Sequence, residues 1–439
     1  PPPPPPPPPP PFFLHPDHPI PAPLWSRGLG DVYKRQFYDW ANSAFATTVM
    51  AGFFPIFFKS FWAGDLSGPE SSAWLGTANS VSGLIIVCIA PFLGALADIT
   101  NKKKLFLGLF AFLGIIATGS LFFISQGMWI TAMLVYIFAC IGFSGGNVFY
   151  DSLIINVSSD ENRNRVSALG YSLGYLGGGF LFVLNVAMYQ NPEFFGLKSI
   201  TDAVLFSFLS VSVWWGIFSL PLLKFVQEKK ENIISIEFSN LFVHSLQRVV
   251  STFRDIRKYK TLSLFLLAYW LYMDGIDTIV RMALAYGADI GLEASDMILA
   301  LIITQFVGFP ATIIYGILGD KFGLKLMLSI GIIGYIFVTI FSIFITQISG
   351  FYFLAATIGL FQGGVQSISR TIFSQLIPPE KSAEFFGFYN LVGKSAVVFG
   401  PIMVGWVAYT FDNPDFGILS LLLLFIPGLL VLWMVPKIK

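Results

Sequence analysis

Charge is what this 439-residue chain has least of. Asp, Glu, Lys and Arg make up 12% of it, against the ~25% usual for soluble domains. The signs nearly cancel, at 26 basic against 25 acidic residues, so there is no basic field to hold nucleic acid. Cysteine is scarce as well: Cys88 and Cys140, each inside an apolar run, cannot build a disulfide framework or a tetrahedral zinc site. Of the 3 histidines, His15 and His18 precede the first apolar run, which leaves His244. With no H-E-x-x-H, no Cys/His cluster and no Walker lysine, metal hydrolysis and ATP-driven pumping find no support. Gly142-Phe143-Ser144-Gly145-Gly146 matches G-x-S-x-G, but it lies in a long apolar run rather than at a strand-to-helix elbow, and His244 is far away. No enzyme, catalytic residue, cofactor or metal is expected.

What the chain does have is apolar length. Hydrophobic residues make up 55%, with Phe alone at 47. Runs of about 20 apolar residues predict membrane-spanning helices. Twelve are expected, at 38–58, 73–96, 105–125, 129–152, 166–189, 201–225, 261–286, 296–318, 325–346, 350–372, 384–409 and 415–435. They lack the strict alternation of barrel strands. The fold class is an all-α membrane protein in two six-helix halves, residues 37–227 and 260–439. Loops after even-numbered spans, the central linker and the C-terminus take nineteen Lys and Arg, while Lys59 and Lys198 stand on the other side. The positive-inside rule then puts both termini in the cytoplasm, with the bacterial inner membrane as the expected location.

Two segments fall outside the halves. Residues 1–36 open with an eleven-proline run, which forms an extended rod without internal hydrogen bonds. They continue to GLGDVYKRQ (28–36), a run resembling adaptor read-through, and are read as a disordered, non-native segment. In the linker 228–259, Phe242, Leu246, Val249, Val250 and Phe253 recur at helical spacing among Arg248, Arg254 and Arg257. That pattern predicts an amphipathic helix on the cytoplasmic surface.

A weak repeat relates the halves. GALADITNKKK (94–104) follows span two and GILGDKFGLKL (316–326) follows span eight. Each sets Gly, an aspartate four residues on, then basic residues in a short turn. Parallel repeats of six spans are a transporter layout. These turns resemble the signature of the major facilitator superfamily. YDWANSAFATTV (38–49), FLLAYWLYMDGIDTIVRMALAYGA (265–288) and SRTIFSQLIPPEKSAEFFGFYNLVGK (369–394) resemble its vacuole-effluxer-like branch, whose eukaryotic members are autophagy-linked amino-acid exporters. The resemblance runs over 37–439 and points to the prokaryotic branch. It implies alternating access and, more weakly, amino-acid efflux. A different small solute (sugar, peptide or lipid-like) and a non-transporting receptor on the same fold are the alternatives. Expected partners are the bilayer, a small-molecule substrate and a proton or other coupling ion, with the chain monomeric.

Ionisable residues inside the hydrocarbon are costly, about 2.5–3.5 kcal/mol each on insertion scales, and tend to face a cavity or a partner. Span seven holds Asp274, Asp277 and Arg281; the last two are four apart and can pair along one face. Asp274 and Lys394 both fall near the midplane and are expected to share one substrate or coupling cluster. In the superfamily, spans one, four, seven and ten line the cavity, which adds Asn42, Asn147, Tyr150, Gln362 and Gln366. Asp39, Asp151 and Arg370, nearer the cytoplasmic ends, are expected as gating pairs. Asp98 with Lys102 to Lys104, and Asp320 with Lys321 or Lys325, are expected as conformational latches. The glycines of span five (Gly170, Gly174, Gly178) and span four (Gly142, Gly146) are expected at close helix contacts.

Overall fold

The computed structural model describes residues 24–436 apart from 67, 229–243, 246, 248, 252–259, 290–292, 346, 397–398 and 412–413. Most of the expected linker helix therefore lies outside the described residues; 244–245, 247 and 249–251, with Val249 and Val250 among them, are helical. The side chains of Arg281 and Lys394 also lie outside the described residues. Among the described residues there are helices and no strands, as backbone satisfaction in a lipid core requires of an open chain.

The helices are α1 (Leu24–Ala44), α2 (Gly68–Thr100), α3 (Lys103–Ser120), α4 (Trp129–Ser152), α5 (Arg163–Gln190) and α6 (Ile200–Phe225) in the first half. The second half holds α7 (Lys260–Asp289), α8 (Ala294–Phe322), α9 (Leu324–Ser342), α10 (Ile348–Leu376), α11 (Ser382–Ala396), α12 (Phe399–Phe411) and α13 (Leu422–Met434). Eleven are long and apolar enough to cross a membrane, α1 being continued through wider π turns to Trp62. Within the expected eleventh span the described residues form α11 and α12, on either side of 397–398. Large apolar side chains such as Phe112, Phe138, Trp406 and Leu423 are exposed on the outside, where lipid rather than water is the neighbour. Cys140 is buried, but Cys88 is exposed on that surface rather than packed inside.

One expectation is corrected at the start of the chain. Residues 24–36 are helical and continuous with the first span, and Arg35 and Gln36 are fully buried. Their burial rests on polar contacts: Arg35 lies over the Tyr150 ring at 3.8 Å and donates to the Tyr150 carbonyl, and Gln36 donates to the Val166 carbonyl. A search for apolar periodicity has no means of detecting such a segment.

Each half has its own apolar core. The halves meet along two crossed pairs, α2 with α11 and α5 with α8, reinforced where α5 reaches α10. Within the first half, the glycine stripe of α5 seats α1: Gly174 and Gly178 face Ser43 and Thr47. Gly142 lies against Gly114 of α3.

The repeated turns share backbone geometry as well as sequence. Three residues after each aspartate the chain takes a positive φ, +52° at Asn101 and +97° at Gly323, and these are residue types that tolerate it. The second residue of each following helix then clasps its own half. The Lys104 ammonium donates to the Val226 carbonyl at the end of α6, at 2.5 Å. Lys325 donates to the Val435 carbonyl after α13, also at 2.5 Å. Both cations thus satisfy a carbonyl at a helix C-terminus, where the dipole favours positive charge.

Candidate functional site

Between the halves lies a cavity of about 370 Å³, within the ~300–1,000 Å³ common for small-molecule sites. Helix α1 contributes Asp39, Asn42, Ser43 and Thr47; α4 contributes Asn147, Tyr150 and Asp151; α5 contributes Tyr171 and Tyr175. From the second half come Tyr269 and Asp277 of α7, Gln305 of α8, Gln362, Gln366 and Arg370 of α10, and Tyr389 and Asn390 of α11. Amides and phenols predominate, groups that hydrogen-bond a dipolar solute without fixing a net charge.

Toward the basic end, the end carrying Lys102 to Lys104, Arg163, Arg165 and Lys321, the cavity has a closed floor. Arg370 forms it. This α10 side chain makes its described hydrogen bonds with the opposite half: to Asp151 at 2.8 Å, to the Ser167 hydroxyl at 3.0 Å and to the Ser167 carbonyl at 2.9 Å. Its guanidinium also lies 4.3 Å from the Tyr171 ring centroid. The Tyr150 hydroxyl donates to the Asp39 carboxylate, and Asn42 donates to Asn147 at 2.6 Å. Gly170 makes room for the arrangement, since a Cβ there would sit 2.3 Å from the Asp39 carboxylate and 3.1 Å from Arg370. A buried ion pair completed by further hydrogen bonds is stable as a unit, but losing one partner costs ~3–5 kcal/mol.

Below the floor, two latches join the halves. The buried Asp98 carboxylate accepts the Ala383 and Glu384 amide hydrogens at the start of α11, at 3.2 and 2.9 Å. It also pairs with Lys103 at 3.0 Å, and Lys103 donates to Ser382. Asp320 pairs with Arg165 at 2.5 Å and accepts from Asn164 at 2.8 Å, both on α5.

The cavity gathers many of the residues singled out in the sequence. Asn42, Asn147, Tyr150, Gln362 and Gln366 line one cavity, and Asp39, Asp151, Asp277 and Arg370 line it with them. Asp274 does not. Its fully buried carboxylate turns behind α7 and accepts the Gly400 amide hydrogen at 2.9 and 3.0 Å, capping the start of α12. Depth along a helix had placed it near the midplane, but depth says nothing of the direction it faces. Of the three lysines expected near Asp98, Lys103 is the one paired with it, while Lys102 is exposed. The other pairing differs. Asp320 takes its partners from the other half, while Lys321 is exposed beside Phe322 and Lys325 is engaged at Trp433 and Val435. Missed altogether were Tyr171, Tyr175, Tyr269 and Tyr389. The one available signal was the spacing of Tyr171 and Tyr175, four apart on the glycine-rich face of α5.

A family model described as vacuole effluxer Atg22 like matches residues 70–155 and 155–439. The chain belongs to this family. It is 37% identical over 91% of its length to an uncharacterized MFS-type transporter, YxiO, of Bacillus subtilis, spanning 93% of that protein. It is 25% identical to autophagy-related protein 22 of Yarrowia lipolytica over 62% of its length, spanning about half of that relative (50%). Among solved structures, the proton:xylose symporter XylE bound to 6-bromo-6-deoxy-D-glucose superposes with a TM-score of 0.70 at 16% identity, over 94% of this chain and 96% of that one. The human organic anion transporter MFSD10 gives 0.68 at 11% identity, over 93% and 100%. These likenesses fix the fold as that of the major facilitator superfamily. The family member described here is a multi-pass membrane transporter of a small-molecule substrate, not an enzyme.

Proposed function

We propose that this transporter exports a small dipolar solute, amino acids foremost, from the bacterial cytoplasm across the inner membrane, working as a monomer with both termini and the basic end inside. The observation that carries the reading is the cavity between the halves, walled by amides and phenols and closed toward the basic end by Arg370 on Asp151. That closure crosses from one half to the other. Rocking the halves about the cavity, the cycle expected of a central-site transporter, therefore has to withdraw Arg370 from Asp151 and Ser167 and part both latches.

In this reading Asn42, Asn147, Tyr150, Gln362 and Gln366 hold the solute. Asp39 and Asp277, the cavity carboxylates other than Asp151, are the groups offered to a coupling proton or other ion. Asp274 holds α12 in place. Uptake and efflux of radiolabelled amino acids in proteoliposomes, with and without an imposed pH gradient, test the proposal. Movement driven by the gradient supports it. Arg370→Gln leaves Asp151 without its cation, and the expected loss, converting ~3–5 kcal/mol of closed-state stability, is transport too slow to measure with protein still monodisperse. Folded wild-type protein that moves no amino acid refutes the substrate class.

A further inference from the structure

A second recess of about 50 Å³ lies between α7, α8 and α10. It shares Val280, Leu301, Thr304 and Gln362 with the main cavity, so the two adjoin. Its own walls are Ala300, Phe351, Leu354, Ala355 and Ile358, all apolar. The hydroxyl at its rim is engaged: Thr304 shares its proton between the Ala300 carbonyl at 3.0 Å and the Ala355 carbonyl at 3.1 Å, which leaves it only as an acceptor. The backbone closes one end of the recess. Gly359 brings α10 against α8 so closely that a Cβ there would lie 2.7 Å from the Thr304 carbonyl oxygen, and small residues beside that pinch leave the space open.

The lengths fit a small molecule with one polar and one apolar end. Gln362 is four residues from Ile358 and Gln305 four from Leu301, about 6 Å along each helix at 1.5 Å per residue. We propose that the recess is a specificity pocket for the aliphatic branch of the transported solute, whose polar head lies at the Gln305 and Gln362 level, and that Ala300 and Ala355 set the chain length accepted. This rests on the amino-acid reading above. A polyol placed there would bury hydroxyls with few partners, which is costly, whereas each methylene moved from water into the recess strengthens binding about fourfold.

The test is uptake by reconstituted full-length protein of a graded series: alanine, 2-aminobutyrate, norvaline, leucine and phenylalanine. In the wild type, KM falls about fourfold per added methylene until the recess is full, then rises. Ala355→Leu fills the space, so norvaline and leucine weaken about tenfold or more while alanine stays within about twofold, which also shows that the variant folds. Ala355→Gly moves the optimum toward a longer chain. A flat series, or a loss shared by alanine and leucine alike in both variants, overturns the pocket and leaves the amino-acid reading standing. Wild-type protein that moves a sugar and no amino acid overturns both.

Discussion

The turns after α2 and after α8 come from one repeated pattern, yet they join the two halves by different chemistry. Within each half they agree: a positive φ three residues after the aspartate, then a lysine that clasps the last carbonyls of α6 or of α13. Between the halves they diverge. The Asp98 side chain is 0% exposed, points at backbone amides of α11 and draws in a buried lysine. Asp320 meets an arginine whose side chain is 69% exposed. The repeat therefore preserves the part that holds each bundle together and varies the part that joins the two bundles, the contacts that must break in the proposed cycle. A dry latch directed at a helix start and a wet ion pair differ in strength and in their response to salt.

That contrast is broken most severely at Asp98. Asp98→Ala leaves the buried Lys103 ammonium with the Ser382 hydroxyl but without its counterion and strands two amide hydrogens, a loss of ~3–5 kcal/mol by analogy with other buried pairs. The basic end then opens, read as faster labelling of a cysteine at Ala383 by a maleimide applied from that side. Asp320→Asn shifts the same labelling by ~1 kcal/mol or less, and high salt mimics it in the wild type without touching the first latch. The backbone supplies a smaller contrast. Gly323 combines φ +97° with ψ +140°, a conformation essentially reserved for glycine, so Gly323→Ala is expected to cost ~1–3 kcal/mol of thermal stability, and Asn101→Gly only a few tenths. The smallest effect lies at Glu228, which accepts the Lys104 amide hydrogen and whose pKa is raised chiefly by burial. A carboxyl raised by folding contributes stability below its unfolded pKa and loses it as pH rises through its folded pKa. Glu228→Gln should remove the part of the decline in melting temperature that falls between those two values.

Much of this was legible in the chain. Continuous apolar runs place the spans, and scarce polar residues on spans one, four and ten mark five of the cavity side chains. Three kinds of information were not there. Rotation about a helix axis decides that Asp277 faces the cavity and Asp274 faces Gly400, and three residues of spacing cannot settle which. Partners across halves, such as Arg165 for Asp320, are distant in sequence and lose to nearer lysines in any local reading. Tyrosines of the cavity wall count as ordinary apolar residues in a span until a structure brings Tyr171 under Arg370 and stacks Tyr269 on Tyr389 at 4.2 Å.

On the proposed cycle, transport requires the basic ends of the two halves to part. Cysteines at Asp98 and Ala383, in a background with Cys88 and Cys140 replaced, let that contact be closed by a bifunctional thiol reagent and reopened by a cleavable one. Cross-linked protein in proteoliposomes is expected to stop moving solute and to recover on cleavage, while still binding solute from the opposite side. Undiminished transport by fully cross-linked protein would contradict it.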